Sequence, residues 1–141
     1  MSRAAFYDSL VADPTLGGDG LGEDTICQNY SNDERPNNTG PFIILQWGIT
    51  AAPIWQSEAE RGPEQLTVWV HWPKELTVDY TKLNKILDQI DDVARDLRDV
   101  AGSDDYTLSF VTIGDRSGDL LDDGFNTITK NAAYQIYSRK S

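Results

Sequence analysis

The fold is decided by residues 66–72, which read LTVWVHW, and by the segment 73–102 that follows them, PKELTVDYTKLNKILDQIDDVARDLRDVAG. Apolar side chains occupy every second position of 66–72, as in a strand with one buried face. That set is Leu66, Val68, Val70 and Trp72. Thr67, Trp69 and His71 lie on the opposite face, where a half-buried indole suits a contact with another subunit. Because Pro73 cannot donate to a sheet ladder, we expect the strand to stop there.

The second part of this stretch predicts a long amphipathic helix. Its apolar residues recur at spacings of three and four, which gives a helix one buried face. They are Tyr80, Leu83, Ile86, Leu87, Ile90, Val93, Ala94, Leu97 and Val100. Asp79 or Thr77 can cap the first turn, and Gly102 can supply the left-handed residue that ends the helix.

The rest of the chain adds shorter elements. We expect a short helix over 2–12, a brief strand over 26–30, and longer strands over 42–47, 106–113 and 125–138. This order predicts an α+β fold, a mostly antiparallel sheet of about four to five strands packed against one long and one short helix. Residues 1–141 are expected to form a single domain, with mobile loops near 14–25, 31–40 and 114–124.

Composition narrows the classes of function. Twelve basic residues against 23 acidic ones give a formal net charge of −11, which disfavours a surface that wraps nucleic acid. No apolar run approaches the roughly 20 residues of a membrane span, and the N-terminal residues carry no secretory signal, so we expect a protein made in the cytoplasm with no membrane partner. Cys27 is the only cysteine, which excludes a disulfide or a multi-cysteine metal site within one subunit.

The candidate chemical groups favour structural roles. His71 is the only histidine, and general-base catalysis would need an orienting partner that the sequence does not identify, so we expect it to be structural or interfacial. Cys27 is expected to be an ordinary thiol. The acidic loop 114–124 lacks the ligand spacing of a calcium loop, and a solvated connection is expected there, with a weak cation site as the alternative. We therefore predict no catalytic residue, cofactor or required metal.

The aromatic and acidic residues suggest contact surfaces instead. Trp47 and Trp72 are expected in the core. The candidates for a subunit interface are Trp69, His71 and Trp55. The candidates for contact with a partner or a ring lumen are Asp115, Asp119, Asp122 and Asp123 of the acidic loop.

Several short segments resemble phage tail terminator proteins, in particular those of long-tailed, siphovirus-type phages that infect actinobacteria. These segments are RGP at 61–63, LTVWVH at 66–71, PKEL at 73–76, DY at 79–80, VAGSD at 100–104, RSGDL at 116–120, DDG at 122–124 and TIT at 127–129. The resemblance covers nearly the whole chain. It is strongest over 61–139 and weak over 13–40.

The resemblance implies a structural role in the virion. Tail terminators are small α+β proteins that form a ring, typically a hexamer, on the head-proximal end of the finished tail tube. They stop the addition of tube subunits and provide the surface for head-tail joining. The implied partners are further copies of the chain, the tail-tube protein and a head-tail connector or stopper protein, with DNA only passing non-specifically through the lumen.

Two alternatives stay open at this point. Another neck component, such as a head-completion or connector protein, would share the small size and ring symmetry. A small hydrolase would require His71 or Cys27 to meet a carboxylate in a pocket.

Overall fold

The computed structural model of the protein describes residues 3–29, 35–51 and 62–140. Within them, three helices and seven strands follow one another along the chain. The helices are α1 (Arg3–Ala12), α2 (Pro14–Gly18) and α3 (Tyr80–Asp96). The strands are β1 (Ile26–Gln28), β2 (Phe42–Thr50), β3 (Glu64–Pro73), β4 (Val100–Ala101), β5 (Tyr106–Arg116), β6 (Leu120–Asp122) and β7 (Thr127–Lys140).

The strands form one mixed sheet in the order β1-β2-β3-β7-β5-β4, with β6 also paired to β7. β1 runs parallel to β2, and the other pairings are antiparallel. The sheet curls into a half-barrel. The prediction of four to five strands with one long and one short helix is therefore wrong. The strands not predicted are β4 and β6, which are only two or three residues long and too short to display a period of two in the sequence, whereas β1 lies within the brief strand expected over 26–30.

The third helix, α2, lies in a stretch predicted to be a loop. Asp13 caps it by accepting a hydrogen bond from the backbone N–H of Leu16 at 3.0 Å, and Pro14 occupies its first turn. Leu16 is fully buried, so packing and capping outweigh the low helix propensity of Gly17 and Gly18. The mobility expected for the loops stays a prediction, and residues 31–34 lie outside the described part of the chain.

Two further regions differ from the prediction: the end of α3, near residues 97–100, and the predicted acidic loop 114–124. Asp79 caps α3 as expected, but the helix stops at Asp96, because Leu97 is already extended and Asp99 has a φ of 50°. Val100 pairs with Leu108 in the sheet instead of ending the helix. The predicted acidic loop holds the end of β5 and all of β6, since both pair with β7.

The main core lies between the helices and one face of the sheet. Leu66, Val68 and Val70 of β3 are at most 1% exposed, which confirms the alternation read from the sequence. Trp47 is also buried, whereas Trp72 is only half-buried against the core, with Lys82 over its ring at 5.2 Å. The other face of β2 and β3, turned away from the helices, carries the candidate site.

Candidate interaction groove

A groove of about 260 Å³ lies on the sheet face away from the helices. Its floor is formed by side chains that are direct neighbours across β2 and β3, because Ile44 pairs with Trp69 and Phe42 with His71. The turn between β6 and β7 forms one wall. The lining residues include Ile44, Gln46, Trp69, His71, Asp122 and Phe125.

His71 is buried beneath this groove, with only 3% of its surface exposed. Its ring stacks on Phe42 at 4.8 Å between centroids and meets the edge of Phe125 at 5.4 Å. Its Nδ1 atom lies 2.8 Å from Oγ1 of Thr127, 56 positions further along the chain. His71 is therefore buried within the subunit, and its contact with a neighbouring subunit stays a prediction. Its face of the strand is covered by Phe42 and by the β6–β7 turn.

Burial also decides the protonation state of this histidine. Loss of hydration lowers the pKa of His71 to about 4, although the nearby charge of Asp122 works in the opposite direction. The ring is neutral at physiological pH and weakly basic. Among the described residues no carboxylate is hydrogen-bonded to it, since its ring contact is with the Thr127 hydroxyl. This geometry suits a packed structural side chain.

Trp69 borders the groove and is half-buried. Its indole N–H donates to Oε1 of Gln46 at 2.9 Å, and its ring lies 6.4 Å from that of His71. The polar atom is thus satisfied within the subunit, and the ring is left as apolar contact surface. A contact of Trp69 with another subunit stays a prediction, and Trp55 lies outside the described residues.

The four aspartates of the predicted acidic loop have separate surroundings. Asp119 forms an ion pair at 3.0 Å with Lys130, whose side chain is almost buried. Asp122 accepts a hydrogen bond from the backbone N–H of Phe125 at 3.0 Å and lines the groove. Asp115 and Asp123 are exposed. In the described ranges no three His, Cys, Asp or Glu side chains are grouped so that they could hold a metal ion.

Cys27 lies in β1 and is half-buried, and burial raises the pKa of its thiol. A raised pKa lowers the fraction of reactive thiolate at neutral pH. Cys27 is not among the residues that line the groove. Asp122 lines the same groove as His71, but among the described residues neither His71 nor Cys27 forms a hydrogen bond with a carboxylate, and the small-hydrolase alternative stays untested.

A group of exposed apolar side chains near one end of the sheet was not identified from the sequence. We call it the end patch, and it consists of Leu76, Val78, Leu120 and Leu121, each between 38% and 67% exposed. The Tyr80 hydroxyl connects its two parts by donating to the backbone carbonyl of Leu120 at 2.6 Å. The sequence signal for these side chains was the pair Leu120 and Leu121 within the acidic, glycine-containing stretch 114–124.

No protein-family model and no curated protein matches this chain. Within the described part of the chain, no helix has the length and apolar character needed to cross a membrane.

Proposed function

We propose that this chain is a structural virion protein, a tail terminator that forms a ring on the head-proximal end of a phage tail tube. In this role it ends tube growth and provides the surface for head-tail joining. The proposal is carried by the set of short segments that resemble tail terminators, together with where the fold brings them.

Four of these segments meet at one end of the sheet although they are far apart in sequence. Pro73 of the segment 73–76 pairs with Thr127 of the segment 127–129. The backbone N–H of Lys74 donates to the carbonyl of Asn126 at 3.0 Å. Tyr80 of the segment 79–80 reaches Leu120 across 40 positions. Such convergence supports the idea that the shared residues serve one common surface.

The end patch lies within this region and is a suitable surface for the tail tube. Exposed apolar area costs roughly 25 cal/mol per Å², so several large apolar side chains together favour contact with a partner. Val78 is 67% exposed and Leu121 is 60% exposed. The aspartates beside them keep the free protein hydrated and repel duplex DNA, which agrees with non-specific passage of DNA through a lumen.

The groove supplies a second contact surface. A ring subunit contacts two neighbours in addition to the structure on which the ring sits. The end patch and the groove adjoin at β6, because Leu121 of the patch is followed directly by Asp122, which lines the groove. In the proposed ring, the subunit binds neighbouring copies through the groove and the tail tube through the end patch.

Tube growth in vitro tests the proposal. The native chain, added to polymerising tail-tube protein from the same phage genome, is expected to stop elongation and to appear as density at one tube end in electron micrographs. Leu121→Glu should lose this effect because it places a charge in the end patch. Ile49→Glu is the matched control, since Ile49 is 79% exposed but lies near the opposite end of the sheet.

Two results would count against the proposal. Tubes that grow to the same lengths with and without the native chain would refute a terminator. Density at the portal of filled heads, with none on tubes, would favour a head-completion or connector protein instead.

A further inference from the structure

We infer that the groove receives a lysine side chain from a neighbouring copy of the chain, and that Lys82 and Lys85 at the start of α3 supply it. This inference rests on the proposed ring and names the chemistry of its subunit contact. The inference follows from the shape and charge of the groove, from which basic side chains form ion pairs, and from the faces of the molecule on which the groove and the two lysines lie.

The groove fits one amphipathic cation. Its volume of about 260 Å³ is below the roughly 300–1,000 Å³ typical of small-molecule sites, so it suits a side chain better than a cofactor. The walls are aromatic and aliphatic, with Trp69 and Phe125 exposed to the groove and a neutral His71 beneath. Among the described lining residues, Asp122 is the one that carries a charge. An apolar stem ending in a positive charge complements this arrangement, through contact with the rings and with the carboxylate.

Lys82 and Lys85 are the basic residues best placed to provide it. They lie one helical turn apart and together line a surface hollow beside Trp72. Neither forms an ion pair with any described residue, whereas six other basic side chains do. Those six are Arg3, Arg35, Arg95, Arg116, Lys130 and Arg139. Both lysines are exposed and lie near the Asp79 carboxylate without a direct ion pair, and Lys82 Nζ also lies 5.2 Å from the centroid of the Trp72 ring.

The two surfaces lie on opposite sides of the molecule. The groove is on the sheet face away from the helices, whereas the lysines lie on α3, which packs on the other face. The lysines of one copy can therefore bind in the groove of a second copy, and the lysines of the second copy can bind in the groove of a third. This is a heterologous contact, which generates a closed ring when the rotation between copies closes.

Complementary charge reversal tests the contact. Asp122→Lys and the double variant Lys82→Glu/Lys85→Glu should each weaken self-association by at least about tenfold, because each places like charges in the contact. An equimolar mixture should recover native assembly, since each altered groove then meets an oppositely altered helix. Sedimentation velocity over a series of concentrations measures the association. Asp123→Lys is the control, because Asp123 is exposed and outside the groove lining, and it should assemble like the native chain.

A more conservative variant distinguishes a lost contact from misfolding. Asp122→Asn removes the charge but keeps an oxygen that can accept from the Phe125 N–H, so it should fold normally and still associate more weakly. The inference is overturned if the native chain assembles and these variants assemble equally well. That result would not contradict the proposed ring. It is also overturned if the mixture fails to recover assembly.

Other outcomes separate the inference from the proposed function. If the mixture recovers assembly but only open filaments form, the lysine contact stands and the terminator ring is refuted. If the native chain stays monomeric at its highest soluble concentration and on tail tubes, both are overturned.

Discussion

At the scale of single residues, His71 is the clearest case of a side chain whose role follows from its surroundings. It lies between Phe42 and Phe125 and contacts the hydroxyl of Thr127. The folded state holds it neutral with a pKa of about 4, against 6.5 in an exposed peptide. In the unfolded chain the ring gains its proton as the pH falls below about 6.5, while the folded protein resists protonation until about pH 4.

We therefore predict that acid destabilises the protein through this one histidine. Its contribution is fully favourable above pH 6.5 and is lost as the pH falls from 6.5 towards 4, because protons then bind preferentially to the unfolded chain. The loss of unfolding free energy should be on the order of 2–3 kcal/mol. Urea unfolding of the native chain at a series of pH values between 4.5 and 7.5 measures it.

His71→Phe provides the comparison for that measurement. The variant keeps an aromatic ring between Phe42 and Phe125 but cannot titrate, so its stability should fall less steeply over the same pH range. Carboxylates titrate equally in both proteins. Parallel pH profiles for the two would show that His71 is not the titrating group.

At the scale of elements, one aspartate of α3 makes polar contacts with two strands of the sheet. Asp91 accepts a hydrogen bond from the Tyr134 hydroxyl of β7 at 2.5 Å and pairs with Arg116 of β5 at 2.8 Å. Burial, followed by this hydrogen bond, raises the pKa of the Tyr134 phenol well above its ordinary value. Asp91 thus joins the helix to two strands at the edge of the core.

We predict that Asp91→Ala lowers the free energy of unfolding by about 2 kcal/mol, because it leaves a buried hydroxyl without its acceptor and removes half of the Arg116 contact. Asp92→Ala is the matched control on the same helix. Among the described residues Asp92 pairs only with Arg95, and both side chains are more than 60% exposed, so its loss should cost less than about 0.5 kcal/mol. Equal effects of the two substitutions in urea unfolding would contradict the role given to Asp91.

At the scale of the whole molecule, the sheet has one face committed to the helices and one face with a groove. Trp69 lies on the second face, and its main internal contacts are Gln46 and His71. An indole in such a position is a good candidate for an energetically dominant contact between subunits.

We predict that Trp69→Ala leaves the monomer folded but weakens ring assembly by about 2 kcal/mol at each interface. Circular dichroism and thermal unfolding report on the fold, and sedimentation velocity reports on assembly. Trp47→Ala is the contrasting variant, since Trp47 is only 8% exposed and packs against Phe6, so it should reduce stability. Unfolding of Trp69→Ala would mean that Trp69 is a core residue.

The sequence by itself determined the elements whose signals are local. The alternation in 66–72 and the spacing of apolar residues in α3 predicted which faces are buried, and Asp79 was identified as the helix cap. These signals could be read because residues two, three or four positions apart are neighbours on the same strand or helix. The position of Trp69 on the second face follows from the same alternation.

Only the tertiary structure decided what covers that second face and how the sheet is completed. His71 is buried because Phe125 arrives from a turn far along the chain, and β6 is a strand because β7 runs beside it. Lys130, on the face of β7 that packs towards the helices, is tolerated because Asp119 reaches it. Contacts between distant segments depend on the path of the chain, and a periodic pattern within one segment carries no information about which other segment will pack against it.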